Sequence, residues 1–332
     1  MRLLTQRLPT LKSSPSRITR CAVVILAVLS LITACHPGTQ ATIKIGLVAP
    51  FTGRYHEIGY QAIRGARLAL SDYNATRVHN GPFVELLALN DRGEVKTAIE
   101  QANKLLTDEA VVAVIGHWLD NTTSAAAPIY ARAPLPMLAT SAAPTKPVSG
   151  GRMFFRLYPT ADMLATEIRQ IAEHYDTEVT CNCGVIDGST YLADIRDQAP
   201  SSIVVGGPMW SLSEFIDIAG ENADNSYFVA PAPHPLVSQE APDFLARYRS
   251  SFPDEQIGWV SVHAYEAMQV LLAAVSQSSE PTAPNIQREL SRTNYHSRML
   301  GDIRFSEHGE WKAPSFHVYR WNGLERTLPQ TN

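Results

Sequence analysis

Few side chains in this chain of 332 residues stand in a pattern that does covalent chemistry. Cys181 and Cys183 are separated by one residue, a spacing that leaves three states open: a bridged pair, a soft-metal pair completed from elsewhere, or two reduced and buried thiols. No cluster of histidine or cysteine lies near enough in sequence to complete a metal set, so reduced, packed thiols are expected. The ten histidines are scattered, and the patterns Gly-x-Ser-x-Gly, His-Glu-x-x-His, Gly-x-Gly-x-x-Gly and the phosphate loop are missing. An enzyme, a metal site and a cofactor are therefore not expected. Binding chemistry is better represented. Asp120, Asn121, Thr122 and Ser141 fall where helices are expected to start, and such residues either cap free backbone N–H groups or share those donors with a bound anion. Ser189, Tyr191 and Trp210 fall in a second region, where the aromatic rings either stack on a ligand across a cleft or simply pack.

The elements that must position these residues alternate between short apolar runs and longer segments of helical spacing, the pattern of a parallel sheet covered by helices. The fold class is α/β. Ile43 to Ala49 reads as a buried strand, and Ile58, Ala62, Ala66 and Leu70 recur every four residues in a helix running to about Asn74. Phe83 to Leu89 and Val111 to Ile115 read as further strands, with helices over Glu94 to Leu106 and Asn121 to Ala131. The polar stretch from Thr140 to Gly151 reads as a loop. Beyond it come a helix from about Ala161 to His174, strands at Gly184 to Ile186, Ile203 to Val205 and Tyr227 to Ala230, and the longest helical stretch, Gly258 to Gln277. That helix places Val262, Tyr265, Met268, Leu272 and Val275 on one face. The tail from Asp302 to Trp321 reads as two strands around His308-Gly309.

The first 35 residues differ from the rest. Arg2, Arg7, Lys12, Arg17 and Arg20 precede an uncharged stretch, Cys21 to Ala34, too short for the roughly 20 residues that span a bilayer. It ends in Ile32-Thr33-Ala34-Cys35, which resembles the lipobox of bacterial lipoproteins and implies lipidation of Cys35. An uncleaved anchor with an incidental Cys35 is the alternative; either places the domain outside the cytoplasm, on the envelope side of the membrane. His36 after the cysteine, by resemblance to enterobacterial lipoproteins, favours the outer membrane. The net charge of −4 supplies no basic field, so nucleic acid is not expected as a partner.

Several stretches carry a further likeness: Ile43-Lys44-Ile45-Gly46 with Thr52-Gly53 and Gly59; Asn90-Asp91; Val111 to His117; Ala126-Ala127-Pro128-Ile129-Tyr130 with Pro136-Met137; Phe154-Phe155-Arg156 with Pro159-Thr160; and, more loosely, Ala264-Tyr265-Glu266-Ala267. In order and spacing the chain resembles the leucine/branched-chain amino-acid-binding proteins of ABC transporters, with the type I periplasmic binding protein fold. The resemblance implies two lobes closing over a small ligand, with the loops Trp118 to Thr123 and Thr140 to Pro144 holding a carboxylate at helix N-termini. It implies a leader over 1–34, a lipidated linker over 35–41, a first lobe of 42–157 plus about 233–307, and a second of 158–232 plus about 308–329.

The departures shape the expected ligand. The family's serine after the Gly-His pair falls on Asp120, and its threonine in the next loop on Ala143, leaving Thr140 and Ser141, beside Ala142, as substitute donors. Its aromatic residue before the first helix falls on Ile58, and the second lobe's acidic anchor on Pro208. Between His174 and Gly184 the family carries an extra strand, helix and strand, so the second lobe is expected to be truncated by about one βαβ unit. The expected function is an envelope solute-binding lipoprotein, taking a small polar metabolite, an amino acid or amide, for an ABC transporter permease. The alternative is an interaction lipoprotein that uses the same scaffold to contact another envelope protein, as in the outer-membrane activators of cell-wall synthases that share this fold.

Overall fold

In the computed structural model, residues 42–76, 81–140, 151–239, 242–323 and 325–328 are described. Cys35, Ser141, Ala142 and Ala143 lie outside the described residues. The first sheet starts with β1 (Thr42–Ala49), whose residues beyond Lys44 are buried on both faces, as a central strand of a parallel sheet must be. Helix α1 (His56–Thr76) returns the chain to β2 (Phe83–Asn90), which pairs with β1 in parallel from Thr42 opposite Phe83 to Ala49 opposite Asn90. After α2 (Val95–Leu105) the chain crosses to the other side of β1 and lays down β3 (Val111–Gly116), then α3 (Asp120–Arg132), β4 (Met137–Ala139) and β5 (Phe154–Arg156). The strand order is β2-β1-β3-β4-β5, all parallel. Connections therefore leave β1 and β2 on opposite sides, and a crevice opens beyond the carboxyl ends of β1 and β3.

The second sheet follows α4 (Ala161–His174) and contains β6 (Thr180–Cys181), β7 (Val204–Gly206) and β8 (Ser226–Ala230), parallel and joined by α5 (Val185–Gln198) and α6 (Ser213–Ala219). The chain then returns to the first sheet with α7 (Pro242–Ser251), α8 (Trp259–Gln277) and α9 (Ala283–Ser291), followed by a small hairpin of β9 (Tyr295–Ser297) and β10 (Gly301–Ile303). Two antiparallel strands, β11 (His317–Asn322) and β12 (Glu325–Thr327), complete the second sheet in the order β12-β11-β8-β7-β6.

Helix α8 is apolar nearly all round and buried nearly all round, rather than along one face. It lies against α1 so closely that a Cβ on Gly65 would sit 2.1 Å from the Ser261 carbonyl oxygen. At 21 residues α1, not α8 with 19, is the longest helix described. Gly184 to Ile186, expected as a strand, is instead the start of α5, where Val185, Ser189 and Leu192 face the core. An apolar run of three residues has no period, so only its tertiary setting decides between strand and helix. The tail holds three strands after residue 300 rather than two. Cys181 and Cys183, expected as buried thiols, are half-buried and joined as a disulfide, with their Cα atoms 5.2 Å apart. Chain direction at the end of β6 decides this, and sequence spacing does not record it.

Candidate functional site

A cavity of about 370 Å³ lies beyond the carboxyl ends of both parallel sheets. From the first sheet each loop that follows a strand contributes: Tyr55 and Ile58 after β1, Gly93 after β2, Trp118, Leu119, Asp120 and Asn121 after β3, Thr140 after β4 and Tyr158 after β5. From the second come Asn182, Cys183 and Gly184 after β6, and Pro208 and Met209 after β7. Trp259 and Val260, at the start of α8, and Leu164 of α4 complete the wall. This is the location that open α/β sheets reserve for ligands.

Two hydrogen-bond networks hold the loops in place. Asn90, the last residue of β2, accepts at Oδ1 from the backbone N–H groups of Phe51 and Arg92, both at 2.9 Å, and donates from Nδ2 to Thr52 Oγ1 at 2.9 Å. Next to it, fully buried Asp91 accepts from Gly93 N at 2.9 Å and, through Oδ2, from Nδ1 of fully buried His117 at 2.7 Å. The other ring nitrogen of His117 lies 3.2 Å from the Tyr130 hydroxyl. Burial, and then the Asp91 charge, push the Tyr130 phenol well above its ordinary range. Gly116, just before His117, has φ +119°, and a Cβ there would meet the Val48 carbonyl oxygen at 2.2 Å, so only glycine fits this turn out of β3.

The mouth of the cleft is clasped. Glu57 of α1 accepts from both the backbone N–H and the hydroxyl of Ser213, which opens α6, and Arg54 lies 3.3 Å from Glu214. Deeper in, the Trp259 indole donates to Ser211 Oγ at 2.6 Å.

Within the cavity wall, Trp118 Nε1 and Thr140 Oγ1 are buried and have no hydrogen-bond partner among the described residues. Asp120 is open to the cleft yet surrounded by protein, and this desolvation pushes its carboxyl up to about 6; the Arg156 cation nearby works the other way. Arg156 itself is buried and lies 3.2 Å from Glu310. Behind the wall, His263 touches the Leu157 carbonyl oxygen through Nε2 and stacks on Tyr158 with ring centroids 5.9 Å apart; burial pushes its imidazole down to about 4. Among the described residues no group of three or more His, Cys, Asp or Glu side chains converges as a metal set.

A family model described as periplasmic binding protein matches residues 42–181 and 196–324. The chain belongs to the periplasmic binding protein family. Among the relatives of this periplasmic binding protein is the leucine-, isoleucine-, valine-, threonine- and alanine-binding protein of Pseudomonas aeruginosa, 23% identical over 340 aligned positions, which take in 85% of this chain and 90% of the relative. A second protein of the same organism, an amino acid binding protein, is 32% identical over 114 residues, 34% of this chain. Two solved structures share the fold. The branched-chain amino acid transporter substrate binding protein of Streptococcus pneumoniae, in complex with isoleucine, superposes with a TM-score of 0.72 at 18% identity, covering 86% of this chain and 97% of that one. A leucine binding protein from Thermotoga maritima gives 0.71 at 19% identity, covering 87% and 98%. The family is one of binding proteins, not enzymes, in keeping with a sequence that carries no catalytic motif.

Of the candidate residues read from the sequence, the periplasmic binding protein brings Ile58, Trp118, Asp120, Asn121 and Thr140 together around the cavity. Others point elsewhere. Thr122 is buried, its hydroxyl donating to the Leu119 carbonyl at 3.0 Å, and Ser189 donates to the Val185 carbonyl at 2.8 Å. Tyr191 packs on the core, and Trp210 is fully buried, stacked on Phe215 at 4.8 Å. Gly206 and Gly188 make room for that indole, since a Cβ on either would come within 2.4 Å of it. Tyr55, Tyr158, Asn182 and Trp259 were not singled out in the sequence. Tyr55 and Tyr158 follow strands β1 and β5, which is the signal that finds them; Trp259 starts a helix distant in sequence, and no local signal marks it.

Proposed function

We propose that this protein is an envelope solute-binding lipoprotein, holding a small polar metabolite between its two sheets on behalf of an ABC transporter. The observation that carries the reading is the cavity at the carboxyl ends of both sheets, where two buried donors, Trp118 Nε1 and Thr140 Oγ1, have no partner among the described residues. A buried donor left unpaired costs about 1–3 kcal/mol, so a ligand acceptor placed there recovers free energy that the empty site forgoes. The relatives are named for binding leucine, isoleucine and valine, which supports an amino-acid-sized ligand.

The leader and Cys35 supply the anchor in this reading. Each buried methylene of an acyl chain contributes about 0.8 kcal/mol, so several chains retain the protein on a membrane without a spanning helix. Among the described residues no helix is long and apolar enough to cross a membrane. Cys35→Ala is expected to move the protein from the membrane fraction to the soluble envelope fraction, assayed by blotting both; retention on the membrane would refute the lipid anchor. His36 favours the outer membrane.

A second reading, an interaction lipoprotein that contacts another envelope protein, draws on the second sheet. The first sheet has β2 outside β1, but among the described residues nothing lies outside β6, and the family match is interrupted from 182 to 195. Both features support a lobe shortened by one βαβ unit, with fewer loops facing the cleft.

A thermal-shift screen of the full chain, held in detergent, separates the two. Amino acids, amides, amines, short peptides and cell-wall fragments are the panel. A ligand at 100 times its Kd adds about 2.7 kcal/mol, a shift of several degrees. A reproducible shift with one chemical class establishes the solute receptor; no shift with any class rejects it in favour of the interaction protein.

A further inference from the structure

Resting on the solute-receptor reading, we infer that the cleft selects an organic ammonium ion that carries no carboxylate. Among the described side chains lining the cavity, Asp120 is the one that bears a charge. Its carboxylate makes no hydrogen bond or ion pair with any described residue. The cation that acts on it, Arg156, stands 3.2 Å from Glu310, so these three groups together carry one net negative charge. A ligand carboxylate would double that charge in a desolvated site, and an ammonium would cancel it.

Part of the donor set that would cradle a carboxylate at the start of α3 is already committed within the chain. Thr122 N donates to Asn121 Oδ1 at 2.8 Å and Thr123 N to the Leu119 carbonyl at 2.9 Å. The Thr122 and Thr123 hydroxyls donate to the carbonyls of Leu119 and His117, both at 3.0 Å. What stands at this helix start is therefore the chain's own carboxylate, on a helix end that stabilises it in place of a bound anion. Among the described residues the second sheet adds no cation to the wall: its contribution is Asn182, Cys183, Gly184, Pro208 and Met209.

Aromatic rings supply the remaining contact. Tyr55, Trp118, Tyr158 and Trp259 all line a cavity of about 370 Å³, and the rings of Tyr158 and Trp259 lie 6.2 Å apart at 49°. Ring faces attract cations, most strongly where water is excluded. A carboxylate in a cavity lined by two indoles and two phenols is complementary to a primary or quaternary ammonium. The free Thr140 Oγ1 and Trp118 Nε1 remain for a neutral polar group of the same ligand.

The test is calorimetric titration of the full chain in detergent with four probes: leucine, 3-methylbutylamine, which is leucine without its carboxylate, 4-methylpentanoate, which is leucine without its amine, and choline. The amine or choline is expected to bind at least about tenfold more tightly than leucine, and 4-methylpentanoate not at all. Asp120→Asn is expected to weaken the bound cation by about tenfold or more while leaving the melting temperature within about a degree, since the side chain has no partner to lose. Tighter binding of leucine than of the amine, or an Asp120→Asn variant that holds the cation as well as the wild type, overturns the charge assignment and leaves the receptor reading standing. A thermal shift from anionic or neutral solutes alone does the same. Silence of all four probes and of the wider panel overturns the receptor reading, and this inference with it.

Discussion

Asp91→Ala is expected to lower the melting temperature of the protein by on the order of 10 °C. The substitution removes the acceptor of buried His117 Nδ1 and of half-buried Gly93 N, and takes from the imidazole the carboxylate that orients it toward Tyr130. Breaking a fully buried polar pair by deleting one member costs about 3–5 kcal/mol, because the survivor is left desolvated and unpaired. For a domain of this size each kcal/mol moves the midpoint by about 2–4 °C. Asp91→Asn keeps one acceptor oxygen and should fall between. Thermal and urea denaturation followed by circular dichroism would measure both; a drop below about 2 °C for the alanine variant would mean that the network contributes little to the fold.

The second large effect has the opposite sign. Glu266 on α8 is 3% exposed, its Oε2 has no partner among the described residues, and burial pushes its carboxyl up to about 7, with a hydrogen bond from Ser297 working against the shift. The unfolded chain releases this proton near 4.5, so the wild-type fold loses stability as pH rises from about 4.5 to 7 and then levels off. Glu266→Gln carries no such charge. At pH 8 the variant is expected to be more stable than the wild type by about 3 kcal/mol, with the difference closing toward pH 4.5. His263 behaves in the reverse sense: its imidazole is held at about 4, so its contribution is complete above 6.5 and is lost as pH falls toward 4. The two overlap in the wild type, and the paired melts of wild type and Glu266→Gln at pH 8 and pH 5 isolate the glutamate. Equal differences at both values would sink the account.

The first sheet was legible in the sequence because β1, β2 and β3 are each followed by a helix with a period of three to four, and because Pro50 to Gly53 and Gly116 mark where strands end. The second sheet was harder. Its strands are two to six residues long, and Gly184 to Ile186 mimics another while starting a helix. Site residues that follow strands, such as Asp120 and Thr140, could be placed by their position in the βα units. The side chains of Thr122, Ser189 and Trp210 could not, because helix phase decides whether a residue four places on faces the cleft or the core. For Trp210 a clue was present in Gly206 and Gly188, whose missing side chains make its berth. The Cys181 to Cys183 bond depends on how the chain turns at the end of β6, which residue types alone do not encode.

That same strand has a bearing on how the molecule behaves in a crowded compartment. Thr180–Cys181 forms the outer rim of the second sheet, and the rim of a sheet is an invitation for a neighbour to add its own backbone. Here the invitation is two residues long and is closed immediately by a disulfide turn. So short a ledge holds too few hydrogen bonds to nucleate edge-to-edge growth, and a protein present at high density can carry an open sheet without polymerising along it.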